Sequence, residues 1–166
     1  VPAWVFVLSR IGRVYGRADF RLPDAPFLFL FTFDYNSFVM RKNPEAVVRA
    51  FRSAFPPGRD DVGLVVKSIN GAHRPELVAA LRAAIGGDPR VVQIDGFLSR
   101  DEAYGLTSVC DAYVSLHRSE GLGLGMAEAM FLGKPVVGTG YSGNLEFMHE
   151  GNSALVDYRM VPVKPG

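Results

Sequence analysis

Residues 26–68 read PFLFLFTFDYNSFVMRKNPEAVVRAFRSAFPPGRDDVGLVVKS, and the order of patterns inside this stretch decides the fold. PFLFLFTF at 26–33 is an apolar run of strand length. NPEAVVRAFRSAF at 43–55 instead places Val47, Val48, Phe51 and Phe55 at helical spacing, with Pro44 where a first turn has no use for an N–H. VGLVVKS at 62–68 returns to a strand. Strand, helix, strand in that order predicts two parallel strands with the helix packed across them.

The alternation continues outward. A helix is expected at 74–85, a strand at 90–95, and a helix at 99–110 opened by a capping box of Ser99 and Glu102. Then come a strand at 112–116, a helix near 124–132, a strand at 134–139, a short helix near 143–149 and a last strand near 153–156. The predicted fold class is α/β: a doubly wound, mainly parallel, Rossmann-like sheet. Such sheets bind ligands at the carboxyl ends of their strands, which singles out the loops at 34–43, 68–73, 96–99, 117–124 and 139–145. Residues 1–25, with arginines at 10, 13, 17 and 21 and no clear period, read as a linker or the remnant of a preceding domain. The domain proper is expected at 26–160, and the two prolines of VPVKPG make 161–166 a tail.

Composition narrows the function. The chain has 166 residues, 48% hydrophobic and 21% charged, and 18 Lys and Arg against 17 Asp and Glu give a net charge of +1. That balance lacks the basic stripe with which nucleic-acid binders displace counterions, so no nucleic-acid partner is expected. Cys110 is the single cysteine, set in apolar SVCDAYV, and reads as a buried structural residue in a reducing compartment. The opening VPAWVFVL is too short to span a bilayer. His73, His117 and His149 are too dispersed for a metal motif, so no metal site is expected, and His117 reads as a core or loop residue.

The loop at 117–124 carries the densest chemistry. Glycines at 121, 123 and 125 let backbone N–H groups approach a ligand at a helix N-terminus, an arrangement that favours phosphate. Glu120 and Glu128 bracket this run, and carboxylates there can accept paired hydrogen bonds from vicinal hydroxyls of a ribose or hexose. The glycine spacing is not G-x-G-x-x-G, which disfavours a nicotinamide cofactor. In the loop at 139–147, Gly143 and Asn144 offer further N–H donors to a diphosphate, or alternatively a tight connection capped by Ser142 or Asn144. Arg41 and Lys42 stand just before a helix, where a cation would neutralise phosphate; adjacent side chains tend to diverge, so Lys42 is preferred if only one reaches it.

The segment HRSEGLGLGMAEAMFLGKPVVGTGYSGNLEF at 117–147 resembles the donor-binding half of the group-one, sucrose-synthase-like family of retaining glycosyltransferases. The resemblance rests on the E-x7-E pair of Glu120 and Glu128, on AEAM-x-x-G-K-P-V and on G-x-x-E-F, and runs from about Phe27 to Arg159. It implies a GT-B architecture of two Rossmann-like domains with the active site in the cleft, this chain being the carboxy-terminal half. By the same resemblance Glu120 lies at the donor sugar as the catalytic residue, Glu128 holds the ribose, and Gly121, Leu122, Gly123 and Leu124 border sugar and phosphates. Lys42 contacts the diphosphate, and Gly96, Phe97 and Leu98 border the base. Three departures stand out: Ser37 occupies the position of an arginine in the family, leaving Arg41 as a substitute; Leu122 replaces the common phenylalanine; and the acceptor domain and crossover helix are expected to lie outside this chain.

The resemblance therefore implies transfer of a hexose from a UDP- or GDP-sugar to a saccharide or lipid-linked acceptor, as in polysaccharide biosynthesis, with no cofactor and no metal. The implied location is the cytoplasm, extending to peripheral association of the parent protein with the inner face of the membrane. Two other readings compete: a binding module for nucleotide or sugar without turnover, and a phosphorylase-like enzyme, for whose pyridoxal phosphate lysine no segment speaks.

Overall fold

A computed structural model describes residues 13–162. The strands are β1 (Phe27–Asp34), β2 (Val62–Ile69), β3 (Val91–Asp95), β4 (Ala112–Ser115), β5 (Val136–Thr139) and β6 (Ala154–Val156). The helices are α1 (Val39–Lys42), α2 (Pro44–Ala54), α3 (Pro75–Ile85), α4 (Arg100–Val109) and α5 (Leu124–Phe131). They build one six-stranded sheet in the order β3-β2-β1-β4-β5-β6. Every neighbouring pair is parallel, as the alternation predicts. The chain winds outward from β1 to β3, returns to lay β4 on the other side of β1, and winds outward again. The β1–β4 seam is thus the topological switch point, where a crevice opens at the strand ends.

Alternation along β1 divides the interior in two. Leu28 and Leu30 join Leu106, Tyr113, Met126 and Ala129 beneath α4 and α5. Phe31 and Phe33 join Val47, Val48, Phe51, Leu81 and Ile85 beneath α2 and α3. At about 1.5–3 kcal/mol for each large apolar side chain fully buried, these two layers dominate the stability of the fold. β2 is covered on both faces, and Val62 to Ser68 are all buried, which is why its sequence runs apolar without alternating. Pro44 and Pro75 open α2 and α3 in the first turn, and the Ser99–Glu102 capping box opens α4 as expected.

Three segments differ from their sequence reading. Within the 34–43 loop, Val39–Lys42 forms a single helical turn, ended by Asn43 at φ 58° before Pro44 begins α2. The short helix expected near 143–149 is only a 3-10 turn, Gly143–Glu146, in which the Asn144 side chain turns inward and donates to the carbonyl of Thr139. Of the expected linker, residues 1–12 lie outside the described residues, as do 163–166 of the tail. Its described part is docked: Leu22 is buried in the α4–α5 layer, and the Arg17 guanidinium donates to Asp111 and to the carbonyls of Asp24, Pro26 and Val109. Cys110 is buried with its thiol pushed up to about 12 by desolvation, consistent with a structural role.

Candidate functional site

At the switch point the carboxyl ends of β1 and β4, α1 and the start of α5 enclose a cavity of about 440 Å³, lined by Thr32, Arg41, Lys42, Tyr113, Ser115 and the run from Glu120 to Met126. Its floor is polar: the Tyr113 phenol and Thr32 Oγ1 share a hydrogen bond of 2.7 Å, and burial pushes the Tyr113 phenol up to about 12. α5 descends directly onto that phenol. A Cβ on Gly125 would lie 2.4 Å from the Tyr113 oxygen, so only glycine lets the helix begin here. The glycines therefore divide their work: Gly121 alone of the three borders open space, whereas Gly123 supplies a φ of 84° and Gly125 a close approach. No side chain caps α5; the Met126 N–H donates to the Gly123 carbonyl (3.0 Å), which leaves the Leu124 and Gly125 N–H groups to face a ligand.

Glu120 is the electrostatic centre of the cavity. Its carboxylate is paired with the Lys42 ammonium and, at 3.2 Å, with the Arg41 guanidinium; its side chain is 10% exposed. The expectation that two adjacent cations diverge does not hold, because α1 is one short turn whose end faces the β4 loop. That turn is stitched to the loop: the Arg118 N–H donates to the Arg41 carbonyl (2.8 Å), Arg41 reaches the Ser119 carbonyl (3.1 Å), and the Asn43 amide donates to the Leu116 carbonyl (2.9 Å). Ser37 plays no part in the cavity; its hydroxyl donates to the Asp34 carbonyl (2.6 Å) and closes the preceding turn.

The backbone of Glu120 is held from the other side by the 139–145 loop. Its N–H donates to the Ser142 hydroxyl (3.0 Å), and its carbonyl accepts from that hydroxyl and from the Gly143 N–H (3.1 Å). Ser142 pays for this position with a φ of 86°, a region a serine rarely adopts. A Cβ on Gly143 would fall 1.8 Å from the Gly121 carbonyl oxygen. Here the structure corrects the expectation that Gly143 and Asn144 present donors to a diphosphate: the Gly143 N–H is already used by Glu120, and Asn144 is fully buried. The Asn144 carbonyl oxygen accepts from His117, its amide donates to Thr139, and Ser142 braces the loop rather than capping a helix. His117 is also buried; its Nε2–H faces Tyr141 O and Asn144 Oδ1 while Nδ1 accepts from Ser115, a satisfied core residue.

Glu128 does not line this cavity. It lies one helical stretch further along α5, facing α4, where the Tyr104 hydroxyl donates to it at 3.2 Å and in turn accepts from Arg100 Nε at 3.2 Å. Burial raises the carboxyl's pKa above its ordinary value, against the opposing hydrogen bond from Tyr104 and the charge of Arg100. At the end of β3, Gly96 has a φ of 144°, Phe97 is 87% exposed and Leu98 packs against the α4–α5 core layer. Lys67, buried and with its pKa lowered by desolvation, donates to the carbonyls of Ser68 and Gly96 and so fixes where that loop begins.

The structure thus gathers Arg41, Lys42, Glu120, Gly121, Leu122, Gly123 and Leu124 in one cavity and leaves Glu128 and Gly96–Leu98 outside it, beyond α5 and β3. Sequence reasoning missed Asn43, Tyr104 and Lys67, and named Ser142 only as a candidate cap. The Asn-Pro pair was a legible turn signal for Asn43; a serine at positive φ and a lysine inside a strand carry no such mark. Among the described residues no group of three His, Cys, Asp or Glu side chains is placed to hold a metal ion, and no helix is long and apolar enough to cross a membrane.

Residues 34–163, more than three quarters of the chain, match the family described as Glycosyl transferases group 1. No curated protein matches by sequence. Among solved structures, Anabaena HepE in complex with UDP and glucose is similar with a TM-score of 0.65 and 22% identity, over 80% of this chain and 35% of that one. WaaG, a glycosyltransferase involved in lipopolysaccharide biosynthesis, is similar with a TM-score of 0.65 and 19% identity, over 95% of this chain and 38% of that one. The C-terminal domain of the group 1 family protein LpcC from Francisella tularensis gives 0.63 and 20%, over 84% of this chain and 71% of that one. The chain spans little more than a third of the length of HepE and WaaG, and at these identities the likeness concerns the fold.

Proposed function

The chain belongs to the group 1 glycosyl transferases, and on that premise we propose that it is the nucleotide-sugar-binding domain of a retaining glycosyltransferase that moves a hexose from a UDP- or GDP-sugar to a saccharide or lipid-linked acceptor. The observation that carries this reading is the convergence of Arg41, Lys42 and Glu120 on one cavity at the switch point. HepE, whose complexes hold UDP with glucose and UDP-glucose, favours the uridine donor. The acceptor would be held by a second domain across the cleft, and the parent enzyme would work in the cytoplasm or at the inner face of the membrane.

As the bond from the anomeric carbon to the β-phosphate oxygen breaks, the electron pair leaves with the nucleoside diphosphate and the sugar becomes oxocarbenium-like. Lys42, Arg41 and the uncapped amides of α5 would stabilise the growing negative charge, the kind of electrostatic assistance that dominates such reactions and needs no divalent ion here. Glu120 would face the electron-poor sugar and orient its hydroxyls. Glu128, outside the cavity and on the side of the Gly96–Leu98 loop, would accept from the ribose hydroxyls while Phe97 borders the base.

Calorimetric titration of the protein with UDP and GDP, beside a Glu128→Ala variant, tests the donor site. Binding of one nucleotide that is weakened by the substitution supports the assignment. Absence of binding to both, or indifference to the substitution, removes it.

A further inference from the structure

We infer that Glu120 is an internal competitor for the donor's diphosphate: its carboxylate and the diphosphate contend for the same two cations, and the arriving phosphates release it to the sugar. The inference rests on the donor-site reading above.

The argument begins with charge. Arg41 and Lys42 supply two positive charges, and both are engaged by the single carboxylate of Glu120. A diphosphate brings at least two negative charges to the same cavity, and an acid left in contact with the same cations would repel it in a partly dehydrated site. One of the anions must give way.

Geometry says which atoms move. The backbone of α1 is tied to the β4 loop through Arg118 and Asn43, so the cations keep their anchor. The backbone of Glu120 is tied by Ser142 and Gly143, so it cannot retreat either. What remains free is rotation about the Glu120 side-chain bonds, which swings the carboxylate away from Arg41 and Lys42 without disturbing either loop. The next residue, Gly121, has no side chain to obstruct that swing and borders open space. The acid is thereby withheld from a sugar until a diphosphate has claimed its partners. A nucleoside or a free sugar carries no charge with which to displace it.

Titration of Glu120→Gln, with Glu120→Ala as a second variant, against UDP and uridine tests this, with thermal unfolding to show that each variant is folded. GDP and guanosine replace them if GDP is the nucleotide bound. Removing the competing charge should tighten diphosphate binding roughly tenfold while leaving nucleoside binding unchanged. Diphosphate affinity that is unchanged or weaker in both variants, with the wild type binding normally, overturns the inference and leaves the donor site standing. Equal tightening for diphosphate and nucleoside also overturns it. A wild-type protein that binds neither nucleotide overturns the donor-site reading and this inference with it.

Discussion

Glu120 and Glu128 sit on either side of the same glycine-rich turn, yet their surroundings are opposite. Glu120 is matched by two cations and braced through its backbone by Ser142 and Gly143. Glu128 has one phenol as its hydrogen-bond donor, and its pKa is raised from the ordinary value because burial penalises its charge. The first acid is held by paired charges; the second is held where burial opposes its charge. Environment, more than spacing in the sequence, divides the roles of two like residues.

The comparison breaks most visibly at Lys42. On the proposed function, Lys42→Ala removes a charge that faces the leaving group, and turnover in the parent enzyme should fall about 10²–10³-fold, chiefly in kcat. Glu128→Ala should instead act on donor binding, weakening it roughly tenfold or somewhat more, the size of one net hydrogen bond to a charged group. Steady-state kinetics with varied donor separate the two. If both substitutions depress the same parameter to the same degree, the two ends of the site are not distinct.

Part of this arrangement was written in the sequence, and part of it could not be. The alternation from Phe27 to Val156 specified a parallel sheet because strand-length apolar runs alternate with helix-like segments, and the order of elements alone then placed the loops after β1 and β4 side by side. Glu120, Lys42 and Arg41 could be named because they stand in loops at the carboxyl ends of strands and, for Glu120 and Lys42, because the family resemblance points to the same positions. Their mutual pairing was not legible, since it depends on a four-residue turn, Val39–Lys42, that no periodicity announces. Nor was the part of Gly125 and Gly143, which serve close packing against Tyr113 and Gly121 rather than room for a ligand. A glycine in sequence marks a missing side chain without saying whether a ligand or the protein itself fills the gap. The same holds for Asn144, a polar residue in a loop that the fold turns completely inward.

The raised pKa of Glu128 sharpens the comparison through pH. On the proposed function the ionised carboxylate is the stronger acceptor for the ribose hydroxyls, so UDP affinity should increase as pH rises from the ordinary carboxyl value through the raised one, then level off; Glu128→Gln should be flat over that window. Stability moves in the opposite direction. The native state binds this proton more tightly than the unfolded chain, so its contribution is present below the ordinary value and is lost as pH rises through the raised one. Calorimetry across the pH range reads the first effect and thermal unfolding the second.

The smallest expected effect, and the finest test of the contrast, is Tyr104→Phe. The Tyr104 hydroxyl donates to Glu128 and opposes the effect of burial, as does the charge of Arg100 on the same helix. Without the hydroxyl the carboxyl should hold its proton to still higher pH, so the rise in UDP affinity should shift upward in pH. Affinity should then be a few-fold lower within the window and converge on wild type above it. A phenol that served only to pack α4 against α5 would lower affinity by one constant factor at every pH. A parallel displacement of the whole profile would therefore show that Tyr104 acts on the helices and not on the charge of Glu128. A shifted profile that meets the wild type at high pH would place the control of the ribose end in a single hydroxyl, in contrast with the pair of cations that governs the other end.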